Sequence, residues 1–183
     1  MYTGYGETTL QSAGLDKDGQ LLFRSAMRRL AASVCVLTAT REGVPLGMAV
    51  TAVTSLSMDP PSLLVCVNRS ARLHPALLEG GAFCVNVLHQ GQELVARQFG
   101  NAALSPTERF AVGDWAMHAP AGPRLSDAAA CIDCVLEKRF EYGTHSICVG
   151  AVQHVVLGSP VEPLLYANGA YSTLLALAGI TAP

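Results

Sequence analysis

Three short runs of this 183-residue sequence carry side chains suited to holding a polar or anionic ligand. Thr51-Ala52-Val53-Thr54-Ser55-Leu56-Ser57 places four hydroxyls within seven residues. Hydroxyls donate and accept hydrogen bonds, so beside backbone N–H groups they match the edge of a uracil-like ring or a ribityl chain. On a strand, alternation puts Thr51, Ser55 and Ser57 on one face and Thr54 on the other. The same residues also suit a half-exposed strand with no ligand. Asn68-Arg69-Ser70-Ala71-Arg72 follows an apolar run and leads into a helix start. Its backbone amides, hydroxyl and two guanidinium groups suit a phosphate, or simply a solvated basic turn. His145 follows Tyr142-Gly143-Thr144 at the predicted tip of a hairpin. A tip presents its side chains, either to a ligand or to water.

Other chemistry is missing. There is no GxSxG elbow, no Walker loop and no HExxH pair. Gly4-Tyr5-Gly6 opens a glycine pattern that no preceding strand or third glycine completes. Cys131-Ile132-Asp133-Cys134 has the spacing of a zinc or redox motif. It falls within a predicted strand, where residues three apart face opposite ways, so no metal site is expected. Half of the residues are hydrophobic and 14% are charged, which excludes a disordered or solvating chain. A formal charge of −2 gives no footprint for nucleic acid. No apolar run approaches the roughly 18 residues of a membrane helix. The N-terminus shows neither the basic nor the apolar region of a signal peptide. Five of the six cysteines sit in aliphatic runs such as Val65-Cys66-Val67, as reduced core thiols do, and a cytoplasmic location is expected. The thin polar surface predicts that part of it is covered by a second copy or a large ligand.

The elements that must position these runs follow from periodicity. Residues 1–20 read as a flexible N-terminal arm, and 21–32 as an amphipathic helix. Strands are predicted at 33–40, 46–58 and 62–68, with Asp59-Pro60-Pro61 ending the second. One or two helical turns at 73–80 close on Gly80-Gly81. A strand at 82–88 and a helix at 90–99 come next, then a loosely ordered excursion over 100–127. Three further strands (128–142, 144–157 and 163–167) complete a pattern with no βαβ alternation, predicting a closed antiparallel barrel.

The order of short motifs carries more than any one of them. Phe23-Arg24-x-Ala26-Met27, Gly47-Met48-x-x-Thr51-Ala52, Ser57-x-x-Pro60-Pro61, Phe83-Cys84-Val85-Asn86-Val87-Leu88, Glu108-Arg109-Phe110, Gly143-x-His145 and Pro163-Leu164-Leu165-Tyr166 succeed one another at spacings that resemble the flavin reductase-like family. These are the small NAD(P)H:flavin oxidoreductases of two-component monooxygenases. The resemblance spans residues 21–173 as one domain and leaves 174–183 as a C-terminal tail. The Val85–Arg97 stretch is most similar to the reductase component of 4-hydroxyphenylacetate 3-monooxygenase.

That resemblance implies a mainly β fold, a split antiparallel β-barrel of Greek-key type with short peripheral helices, binding FMN or FAD in a homodimer. It implies hydride transfer from NADH or NADPH to flavin N5, with the reduced flavin passed to a partner oxygenase. Alternatives are a reductase of another acceptor, a corrin or a ferric chelate, and a non-catalytic flavin-binding module. By position, Thr51, Ala52, Val53, Thr54, Ser55 and Ser57 would line the flavin ring and ribityl chain. Cys66, Val67 and Asn68 would continue that wall, with Ser70 and Arg72 near the phosphate and Asn86 close to the flavin. His145 would lie by the nicotinamide as the catalytic-site histidine. Thr144 stands where the family has an aspartate, and Ala49 where it has a threonine.

Overall fold

The structure, a computed structural model, describes residues 14–116, 121–159 and 161–175. Residues 1–13 of the expected arm and 176–183 of the expected tail lie outside the described residues. The elements run α1 (Lys17–Met27), β1 (Ala32–Ser33), β2 (Cys35–Arg41), β3 (Val44–Val50), β4 (Val53–Met58), β5 (Pro61–Asn68), α2 (Leu73–Gly80) and β6 (Ala82–Val87). They continue with α3 (Glu93–Gly100), α4 (Pro106–Phe110), β7 (Trp115–Ala116), β8 (Arg124–Leu125), β9 (Ala130–Tyr142), β10 (His145–Leu157), β11 (Leu165–Ala167) and β12 (Ala170–Ser172).

Seven strands form one antiparallel sheet in the order β3-β2-β6-β9-β10-β5-β4. Its two edges, β3 and β4, are consecutive in the chain, and only Thr51 and Ala52 separate them. Three residue steps span at most about 11 Å, so the sheet curls until its edges meet at that corner. No ladder joins β3 to β4 among the described residues, so the sheet is not the fully closed ring predicted from the strand count.

Alternation sorts the buried side chains into two clusters. Leu37, Val65, Val67, Phe83, Val85 and Cys134 fill the concave face, capped by Leu73 and Leu77 of α2. Val36, Cys84, Cys131 and Leu125 lie on the other face, with Val95 and Phe99 of α3 packed over them. Cys131 and Cys134 therefore belong to opposite clusters, as their spacing on a strand predicts. All six cysteines are free.

Three expectations are corrected. The predicted 46–58 strand is two strands on opposite edges, because the chain turns the corner at Thr51-Ala52. The first helix starts at Lys17, where the Asp16 carboxylate accepts from Gly19 N–H at 2.8 Å; polar residues hid that cap from an apolar periodicity. The 100–127 excursion carries α4, β7 and β8 rather than loose chain. A Ser105–Glu108 capping box starts α4, and Phe99, Phe110 and Trp115 close a triangle with every ring pair 5.0 Å apart.

Candidate functional site

Two hollows border the Thr51-Ala52 corner, one on each side along the chain. The first, of about 300 Å³, is lined by Met48 and Ala49 of β3, Asn68 at the end of β5, Ser70 and Arg72 after it, and Phe99 and Arg109. The second, of about 440 Å³, is lined by Val53, Thr54, Ser55 and Ser57 of β4, with Cys35 and Val155 opposite. The first volume is at the small end and the second well within the range of ligand pockets. The run from Met48 to Met58 thus passes from one hollow to the other through Thr51 and Ala52, which are exposed.

The first hollow is built to receive an anion. Asn68 Oδ1 accepts from the Ser70 N–H at 2.9 Å and from Ser70 Oγ at 2.8 Å, fixing the turn after β5. Arg72 Nη1 donates to the Leu104 carbonyl at 3.1 Å, which holds the guanidinium over the hollow. Arg109 is 9% exposed and donates from Nη1 to the Gly47 carbonyl at 2.6 Å and from Nη2 to the Asn101 carbonyl at 2.8 Å. Its buried Nε has no hydrogen-bond partner among the described residues. Burial, and then the positive charge of Arg72, lower the Arg109 pKa from its usual value. Among the described residues no acidic side chain lines this hollow, so two cations face it without a counter-charge. An oxyanion there relieves both their repulsion and the desolvation of Arg109.

A glycine sets one wall. A Cβ at Gly47 would lie 2.6 Å from Phe99 Cε1, so only glycine lets the Phe99 ring rest on β3. The ring stays at the edge of the hollow and offers an apolar face beside the cations.

His145 begins β10 and is exposed, with Asn68 of β5 as its cross-strand partner. Its Nδ1 lies 2.9 Å from Thr144 Oγ1, so the hydroxyl helps to fix the orientation of the ring. Gly143, at φ 55, makes the turn before it. Arg69 N–H donates to the Thr144 carbonyl at 3.0 Å and Arg69 Nη2 to the Gly143 carbonyl at 2.6 Å. The hairpin tip is thereby tied to the turn that carries Asn68 and Ser70.

The remaining expected residues are placed as follows. Ser57 Oγ donates to the Asp59 carbonyl at 2.9 Å, and the β4–β5 register shifts between Ser55 and Ser57. That bulge breaks the alternation predicted for the hydroxyls, and Thr54 and Ser55 border the same hollow. Cys66 is half-buried and its N–H donates to the Ala52 carbonyl at 3.0 Å. Val67 is fully buried in the concave cluster. Asn86 is fully buried too: its Nδ2 donates to the Val36 carbonyl at 3.1 Å and its Oδ1 accepts from Leu125 N–H at 2.8 Å. Neither side chain borders a hollow; both hold the strands that do.

Met48, Ala49, Phe99 and Arg109 join the first hollow without having been assigned to the site from sequence. The signal for Arg109 was the Ser105-x-x-Glu108 box, which orders the helix that delivers it.

Comparison with known proteins gives a consistent picture. The flavin reductase like domain matches residues 27–175. An FMN reductase (NADH) RutF of Methylorubrum extorquens is 38% identical over 92% of this chain and 81% of its own length. The reductase component of an FADH(2)-dependent resorcinol hydroxylase from Rhizobium sp. is 44% identical over 81% of this chain and 84% of its own. Among solved structures, the Streptomyces globisporus NADH:FAD oxidoreductase SgcE6, in complex with NAD and FAD fragments, superposes with a TM-score of 0.81 at 28% identity, covering 92% of this chain and 100% of that one.

Proposed function

For a chain that belongs to the flavin reductase-like family, we infer an NAD(P)H-dependent reductase of FMN or FAD that supplies reduced flavin to a partner monooxygenase. The observation that carries this reading is the first hollow, where Arg72 and buried Arg109 face a space with no carboxylate beside the Asn68–Ser70 turn. A flavin nucleotide brings the phosphate such a space requires.

We assign the phosphate to Arg72, with Ser70 in the turn beside it shaping the space and Arg109 adding positive potential from beneath. Thr51, Ala52, Val53, Thr54, Ser55 and Ser57 follow the flavin around the corner, and Cys66 and Asn68 complete the wall. A flavin bound there would supply the redox chemistry, as acceptor of a hydride from the nicotinamide. The chain's own contribution is to hold the two rings in contact and to exclude water with Phe99 and Met48. His145, oriented by Thr144, positions the nicotinamide from the hairpin tip.

We read the curled sheet as a split barrel and the functional unit as a homodimer. No residue of α1 is buried, although Leu22 is 72% exposed and Phe23 57%. Leu157 at 78% and Val155 at 48% add apolar surface at the far end of β10, and a second copy covers such a surface. Six free thiols suit a reducing, cytoplasmic compartment. Among the described residues, no helix is long and apolar enough to cross a membrane.

The test is anaerobic. FMN or FAD is mixed with the protein and NADH or NADPH, and the oxidised flavin band is followed. Catalytic bleaching is expected, and the pairings that work give the preferences. Flavin binding without bleaching in all four pairings would replace the reductase with a flavin-binding module or a reductase of another acceptor.

A further inference from the structure

A third hollow, of about 490 Å³, lies between α3 and the β11–β12 hairpin, and no step above uses it. Its walls include Glu93, Arg97, Asn101, Tyr166 and Tyr171, and Gly100 borders both it and the phosphate hollow. The two spaces therefore adjoin at the C-terminal end of α3.

We propose that this hollow holds the adenosine half of a dinucleotide whose phosphates sit at Arg72, an assignment that rests on the reductase reading. The Arg97 guanidinium carbon lies 5.0 Å from the centre of the Tyr171 ring. Glu93 Oε1 accepts from Arg97 Nε at 2.7 Å and so holds the guanidinium plane. With one face on Tyr171 and a side chain 63% exposed, Arg97 offers its other face to a flat ring. Tyr166, 38% exposed, stands edge-on to Tyr171 with ring centres 5.3 Å apart. Two aromatic rings and a fixed guanidinium form a stacking platform for a neutral base, the arrangement proteins use for purines. Asn101 Oδ1 accepts from Ala103 N–H at 3.0 Å, which leaves the Nδ2 hydrogens for a ring nitrogen or a ribose hydroxyl. A mononucleotide ends at the phosphate hollow; a dinucleotide continues past Gly100 onto this platform.

Adenosine reaches the site from two sources, FAD or the nicotinamide dinucleotide, and the measurement separates them. Dissociation constants for FAD and FMN are read by flavin fluorescence, and KM values for NADH and for reduced nicotinamide mononucleotide by turnover. The chain is compared with Tyr166→Leu, which keeps the charge, and Arg97→Ala, which removes an exposed side chain. If FAD is the source, both variants weaken FAD about tenfold and leave FMN unchanged. If NADH is the source, its KM rises by about the same factor while that of the mononucleotide does not move. FMN binding unchanged throughout shows that the variants fold. Equal effects on the adenosine-bearing and adenosine-free ligands, or no effect on any of them, would overturn the proposal and leave the reductase standing. A wild-type chain that neither binds nor reduces FMN or FAD would overturn both.

Discussion

His145 and Asn68 face each other across the β5–β10 ladder, so the residue assigned to the nicotinamide and the turn assigned to the phosphate share one backbone pairing. Arg69 fastens them from the side through the Gly143 and Thr144 carbonyls. The hairpin tip and the phosphate turn are therefore one rigid unit.

Replacing His145 tests that unit at its nicotinamide end. His145→Ala is expected to slow hydride transfer or raise the KM for NADH by about tenfold, the scale of one lost hydrogen bond to a bound group. Affinity for FMN should stay at the wild-type value. Stopped-flow bleaching under anaerobic conditions measures both, and unchanged transfer with unchanged NADH affinity would remove His145 from the site.

Arg72 tests the other end. Arg72→Ala is expected to weaken FMN by about tenfold to a hundredfold, as loss of a hydrogen bond to a charged group does. Riboflavin, which has no phosphate, should bind both proteins alike. Raising the salt concentration narrows the difference, because exposed charges are screened. Equal losses for FMN and riboflavin would place Arg72 elsewhere.

Much of this was legible from the residues. The opposed faces of Cys131 and Cys134 followed from strand alternation alone, and the hairpin carrying His145 from Gly143. The corner at Thr51-Ala52 was not, because β-branched and hydroxyl residues run through it without a glycine or proline to mark a break. Arg109 was missed as a site residue for another reason. Its distance from Asn68 in the chain is closed only by packing, through the Phe99, Phe110 and Trp115 rings. Asn86 shows the converse: a motif residue whose amide is spent on the Val36 carbonyl and Leu125 N–H.

Gly47 offers a test of packing. Gly47→Val forces the Phe99 ring off β3, at about 1–3 kcal/mol for overpacking. At about 2–4 °C per kcal/mol for a chain of this size, the loss is visible in a thermal melt. Because Phe99 also walls the phosphate hollow, FMN affinity should fall with stability. A variant with wild-type melting and binding would show that the ring is free to move.

The pair between buried Asp133 and half-buried Arg124 predicts a pH dependence. Burial pushes the Asp133 carboxyl up, but the hydrogen bond and charge of Arg124, with a hydrogen bond from Cys84 and the nearby His154, together hold it below the usual range. A depressed folded pKa stabilises the native state fully above about pH 4, the unfolded value, and that contribution is lost as pH falls through the folded value. Asp133→Asn leaves Arg124 without its charged partner and is expected to cost about 1–3 kcal/mol at pH 7, the scale of a lost hydrogen bond to a charged group. In urea titrations the gap between variant and wild type should close below about pH 4. A gap independent of pH would mean that the charge is not what matters.

The two-residue corner also fixes when the binding surface comes into being. β2–β3 and β4–β5 are local hairpins that the first 68 residues can form alone. They become one sheet only through β6, β9 and β10, since β6 pairs with β2, β9 with β6, and β10 with β5. Until the chain through Leu157 has been made, no ladder closes the sheet around the corner and the second hollow lacks its Val155 wall. The complete binding surface is therefore acquired late during synthesis, as pairings of such high sequence separation require. A ligand captured at that moment draws the newborn chain towards its finished form.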